Sequence, residues 1–108
     1  MPKGDSVGEF EHLILLAVLR LNEDAYGMRI RQEICTRTGR DTSIGAVYAT
    51  LERLADKGLV DSRLGEVTPE RGGRAKRFFR VTGEGVTLLN RARRELESMM
   101  EGLPAVLP

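Results

Sequence analysis

Ser43-Ile44-Gly45-Ala46-Val47-Tyr48-Ala49-Thr50-Leu51-Glu52-Arg53-Leu54-Ala55-Asp56-Lys57, ended by Gly58, is the stretch whose reading decides the fold of this chain. Ile44, Val47, Tyr48, Leu51, Leu54 and Ala55 recur at helical spacing and predict one buried face. Gly45, Ala46, Ala49, Thr50, Arg53 and Lys57 turn the other way. Long charged side chains usually fill a solvated helix face, whereas this one is small and then basic at its far end. Small side chains let a helix approach a large partner closely, and a DNA major groove is wide enough to admit one. Beyond Gly58, Leu59-Val60-Asp61-Ser62-Arg63-Leu64 reads as a strand. A loop from Glu66 to Lys76 contains Gly72-Gly73, and Arg77-Phe78-Phe79-Arg80-Val81 reads as a second strand. The helix is therefore followed by a two-stranded ribbon with a basic, glycine-broken tip.

Bulk properties narrow the class. With 108 residues and 12.0 kDa the chain is one small domain with a limited core. A net charge of +1 does not announce a nucleic-acid binder, but its distribution does: Arg71 to Arg80 holds five Arg or Lys and no acid. Local charge is what a phosphate backbone feels. The single cysteine, Cys35, excludes an internal disulfide and fits a reducing compartment. The apolar run Leu13 to Leu19 is too short to span a bilayer, and its acidic flank, Glu9 and Glu11, does not resemble a signal peptide. A cytoplasmic protein without membrane association is expected. No nucleophile–base–orienter set and no P-loop is present, and His12 has no Cys or His near it. The expectation is a non-enzyme that needs no metal or cofactor.

Along the chain the pattern predicts four helices and one ribbon. The first helix starts near Ser6, paired with Glu9 as a capping box, and runs to about Leu21. Asn22-Glu23-Asp24 breaks it. The second spans Ala25 to about Thr38, with Tyr26, Ile30 and Ile34 inward, Cys35 packed beside Ile34, and Gly39 at its end. Arg40-Asp41-Thr42 is a tight turn into the helix quoted above, which is the helix-turn-helix plan. The ribbon makes it a winged helix: a mainly α fold with a small two-stranded β-wing. In the last helix, from Glu84 onward, Leu89, Ala92, Leu96, Met99 and Leu103 are spaced three, four, three, four, with Val86 leading in. A compact winged helix has little exposed core left to receive that stripe, so a partner chain is its expected recipient. Leu13 and Leu16 of the first helix would join the same interface, giving a two-fold homodimer. The division is residues 1–82, a winged-helix DNA-binding domain, and 83–108, a dimerisation helix and tail.

Several segments resemble the PadR-like transcriptional regulators. They are Gly8-Glu9-Phe10-Glu11 with Leu13-Ile14-Leu15-Leu16-Ala17-Val18-Leu19, and Asp24-Ala25-Tyr26-Gly27 with Ile30. Gly45 to Leu54 with Lys57-Gly58-Leu59-Val60 follows, then the wing from Arg71 to Thr82. The resemblance covers roughly Gly8 to Leu89, in register and in order. It implies a dimeric winged-helix regulator, usually a repressor, that binds operator DNA and often answers to a small molecule. This chain is similar to short members with a single C-terminal helix. Many members carry Pro where Gly83 stands; Pro is favoured at a first helical position and Gly is not, so more fraying is expected there.

Helix and wing divide the expected DNA contacts. Ser43, Gly45, Ala46, Ala49, Thr50 and Arg53 would enter the major groove, with specificity drawn from thymine methyls and DNA shape. Tyr48 stands at the edge of the apolar stripe, as a core ring or as a hydroxyl on a phosphate. Arg71, Arg74, Lys76 and Arg77 would reach phosphates or the minor groove. Phe78 and Phe79 point to opposite faces of their strand, one of them into the core. Two rival readings exist: a winged-helix adaptor for proteins, and a redox-responsive regulator in which Arg31 and Arg37 activate Cys35. Family analogy adds a slot between the last helices and the first for a flat apolar effector.

Overall fold

The computed structural model describes residues 7–66 and 75–104. Among them run α1 (Glu9–Leu21), a 3₁₀ turn (Asn22–Asp24), α2 (Gly27–Thr38), α3 (Ile44–Asp56), β1 (Val60–Leu64), β2 (Arg77–Val81) and α4 (Gly83–Met100). The strands form one antiparallel ribbon in which Val60 faces Val81 and Leu64 faces Arg77. This is the winged helix-turn-helix with a trailing helix that the sequence predicts. The expected wing tip, with Arg71, Gly72, Gly73 and Arg74, lies outside the described residues.

Two helix starts differ from expectation. Ser6 lies outside the described residues, and α1 begins at Glu9 with Gly8 as its N-cap. The capping carboxylate is Glu11, which accepts the Gly8 N–H at 2.8 Å, while Glu9 pairs with Arg40. Helix α2 begins two residues later than Ala25 because Tyr26 is drawn into the ribbon. Its backbone is extended and bridges Phe78, and the Phe79 N–H donates to the Ala25 carbonyl at 2.8 Å. Helix α4 does start at Gly83, on a cap formed by the Thr82 hydroxyl accepting the Gly85 N–H at 3.1 Å.

The core sits where the three helices of the helix-turn-helix meet the ribbon. Ile14, Leu15 and Val18 from α1, Ile30 from α2, and Val47, Leu51 and Leu54 from α3 are almost fully buried. Phe79 and Val81 close it from β2, and Leu88 and Leu89 from α4. Phe79 is thus the inward ring of its pair, as strand alternation requires. Past those first turns α4 leaves the body, and every residue from Arg93 to Met100 is exposed. The Cα radius of gyration, 15.7 Å, exceeds the roughly 13 Å of a compact domain this size, as a projecting helix dictates.

Candidate nucleic-acid interface

Helix α3 buries a face turned slightly from the expected one. Ile44, Val47, Leu51 and Leu54 point inward as predicted, but the flank that widens the stripe carries Thr50, 1% exposed, instead of Tyr48 and Ala55. Thr50 is therefore no groove-facing residue. Its hydroxyl accepts from Arg53 Nη2 at 3.0 Å and is turned inward. The cause lies on α1. Glu11 shares the stripe of Ile14, Leu15 and Val18 and is buried, and Lys57 reaches both its oxygens at 3.0 and 3.1 Å. Arg53 Nε stands 3.7 Å from the same carboxylate. Burial alone would raise the Glu11 pKa, but the Gly8 N–H and the charges of Lys57 and Arg53 together hold it below the usual carboxylate range.

What α3 leaves exposed divides along its length. The N-terminal half offers Ser43, Gly45, Ala46 and Ala49. Ser43 caps the helix, its hydroxyl accepting the Ala46 N–H at 3.0 Å, so its oxygen is partly used locally. The C-terminal half continues the outer row of Gly45 and Ala49 with Glu52 and Asp56, while Arg53 and Lys57 lean onto α1. The far end is thus less basic outward than the sequence suggests. The small-residue end is the one at which recognition helices usually meet base edges.

Tyr48 bridges this end of α3 to α2. Its side chain is 41% exposed and its ring lies across Gly27 so closely that a Cβ there would meet Cζ and Oη at 2.5 Å. The missing side chain at Gly27 is what lets the tyrosine lie against the first turn of α2. The tyrosine lines a groove shared with Tyr26, Met28, Leu64, Ala75, Lys76 and Arg77 at the base of the wing. Lys76 Nζ sits 3.6 Å over the Tyr26 ring, Tyr26 meets Phe78 edge-on at 5.7 Å, and Arg63 covers Phe78 at 4.9 Å. This cation–ring ladder fixes the direction in which Lys76 leaves the ribbon.

The basic run is not uniformly available. Arg80 grips Asp61 through two bonds, at 3.2 and 2.8 Å, and holds that carboxyl below its ordinary value. Arg77 donates to the Ser62 hydroxyl at 3.0 Å, a neutral partner. Lys76 and Arg77 are paired with no carboxylate among the described residues; Arg77 is exposed, and Lys76 is half-buried with its ammonium over the Tyr26 ring. Ala49→Leu adds bulk to the exposed small row, and we expect it to lower binding to the preferred duplex while changing scrambled-duplex binding little. Lys76→Ala should weaken both alike and reduce the salt slope by about one. Titration of both duplexes across a salt series separates the two, and equal effects of both variants would misplace these surfaces.

The residues expected at a dimer interface do not all lie free. Leu89 is 6% exposed in the chain's own core, and Leu13 packs against that core half-buried. The heptad stripe therefore does have an intrachain partner over its first turns. Ala92 is half-buried, whereas Leu96, Met99 and Leu103 are 52–78% exposed, Leu103 lying beyond the helix end. Leu16 and Leu19 on α1 face the same way as Val86 and Leu96, across a mostly apolar groove of about 370 Å³ that also holds His12. Cys35 is exposed and not packed beside Ile34. Arg31 is turned to the Thr42 carbonyl at 2.6 Å and Arg37 to Glu33 at 2.7 Å, so both proposed activators bind elsewhere. No helix among the described residues is long and apolar enough to cross a membrane.

Sequence reasoning missed Glu11, which had a signal: the spacing Glu11, Ile14, Leu15, Val18 puts an acid on a buried stripe. Gly27 reads from sequence as a small residue that allows close helix packing, and the Tyr48 ring lying across it bears this out; only the identity of that partner on another helix had no local signal.

A small-faced helix behind a tight turn, beside a ribbon with cations at its base, defines a winged-helix DNA-binding protein. The sequence model of the transcriptional regulator PadR-like family matches residues 15–91, and the chain belongs to that family of DNA-binding regulators. An uncharacterised protein of Lysinibacillus sphaericus is 31% identical over 105 residues, covering 89% of this chain and 92% of that one. A transcriptional regulator from Clostridium thermocellum shares the fold with a TM-score of 0.68 at 22% identity, over 84% and 85% of the two chains. A PadR family transcriptional regulator from Eggerthella lenta does so at 0.67 and 23%, over 88% and 82%.

Proposed function

We infer that this chain is a homodimeric, cytoplasmic repressor that occupies an inverted-repeat operator and blocks transcription sterically. The observation that carries this reading is the exposed row Ser43, Gly45, Ala46 and Ala49, flanked by Tyr48 and by Lys76 and Arg77. The small row enters the major groove, and the tyrosine hydroxyl and wing base hold the backbone. Arg71 and Arg74, which lie outside the described residues, would add positive charge for the same backbone contacts. Dimerisation uses the exposed part of the α4 stripe, Leu96, Met99 and Leu103, together with Leu16 and Leu19 of α1. The α1–α4 groove is apolar and within the ordinary size range of ligand sites, so a small apolar effector bound there would release the operator.

Selection of bound duplexes from a random library tests the reading. A two-fold dimer should enrich an inverted repeat with half-site centres about 10 base pairs apart. An enriched motif without two-fold symmetry would refute the dimer, and no enrichment at all would favour the protein-adaptor alternative.

A further inference from the structure

We propose that Glu11 of α1 is a positioning residue for DNA recognition, holding Arg53 of α3 and Lys57, the C-cap of that helix, back from the phosphate backbone. The proposal rests on the DNA-binding reading above. The Glu11 side chain is 9% exposed, and its two oxygens receive the Gly8 N–H, both Lys57 bonds and the nearby Arg53 guanidinium. Arg53 is tied a second time, to Thr50. Its side chain is nonetheless 57% exposed and stands one turn beyond Ala49, on the flank of the row that meets DNA. Without the carboxylate, an arginine at that place would swing to the nearest anion, which on DNA is a phosphate.

A phosphate contact carries no sequence information and adds equally to every duplex. The buried acid therefore exchanges non-specific affinity for discrimination, leaving the groove-facing surface of α3 to its small side chains. Because Glu11 sits on α1, it also fixes α3 to the helix that carries His12, Leu16 and Leu19 along the α1–α4 groove.

Glu11→Gln keeps the shape and the amide acceptor for Gly8 but removes the charge. Affinities for the selected operator duplex and for a scrambled duplex of equal length are measured across a salt series, after a thermal melt confirms folding. Glu11→Gln should bind the scrambled duplex about tenfold tighter at low salt, steepen the salt slope by about one, and shrink the operator preference. A merely structural loss would weaken binding instead. An unchanged or shallower slope with unchanged preference overturns the proposal. Should Glu11→Gln not fold, Glu11→Asp, which draws the carboxylate back by one methylene, is held to the same criteria. Failure of both to fold would make Glu11 a stability element and overturn the proposal too. If the parent protein itself prefers no duplex, the DNA-binding reading falls first.

Discussion

Gly85→Ala should lower the melting temperature by about 5–10 °C while Gly83→Ala, two residues earlier in the same helix, raises it by a few degrees. Both changes improve intrinsic helix propensity, by up to about 1 kcal/mol. They differ in what the new methyl meets. At Gly83 nothing lies within 4 Å, so the gain is the reduced freedom of the unfolded chain, about 0.4–1 kcal/mol. At Gly85 the methyl would overlap the Leu59 carbonyl oxygen and approach Val81 Cγ1 to 2.6 Å. That carbonyl cannot yield, because it accepts the Thr82 N–H at 2.9 Å, and Thr82 is the cap of α4. Overpacking of this kind costs about 1–3 kcal/mol and can exceed it where backbone blocks backbone. It would also lift Leu88 and Leu89 from the core. Paired thermal melts are the measurement; equal shifts for the two variants would show that α4 is not seated as described.

The fold was legible because periodicity and stop signals are local. Val47, Leu51 and Leu54 on α3, the ribbon strands, and the glycines after α2 and α3 all lie where short-range rules put them. What failed was long-range. An apolar stripe of a helix can be widened on either flank, and on α3 hydropathy alone favours Tyr48 and Ala55 over Thr50 and Lys57. The outcome was set by an acid on another helix, since Glu11 needs cations beside it once buried. Hydropathy cannot rank a buried carboxylate that is solvated by Lys57 and by a backbone N–H. Cys35 failed for a simpler reason: neighbours in a helical sequence do not share a face. On α4 the apolar spacing does not separate Leu89, buried in the chain's own core, from Leu96, 59% exposed, because the two look alike until the other helices are placed.

Leu96→Asp should abolish stable dimerisation and, with it, tight operator binding, without unfolding the protomer. Leu96 is 59% exposed in the single chain, so a carboxylate there remains hydrated in the monomer. Surface changes of that sort typically stay within about 0.5 kcal/mol. In the proposed dimer the same side chain is covered by its partner. Taking an unpaired carboxylate out of water costs several kcal/mol, and two-fold symmetry imposes the cost twice. At about 1.4 kcal/mol per factor of ten, dimer affinity should fall at least ~100-fold. Deleting residues 84–108 is a poorer test, because it also removes Gly85, Leu88 and Leu89 from the core and would confuse loss of fold with loss of partner. Sedimentation equilibrium gives the assembly constant, a thermal melt confirms the protomer, and titration of the operator reports binding. A protomer that melts as the parent does, sediments as a monomer and recognises single half-sites weakly is the expected picture. A variant that stays dimeric at parental affinity would move the interface off the exposed stripe of α4, leaving Leu16 and Leu19 of α1 as the apolar surface still to be covered.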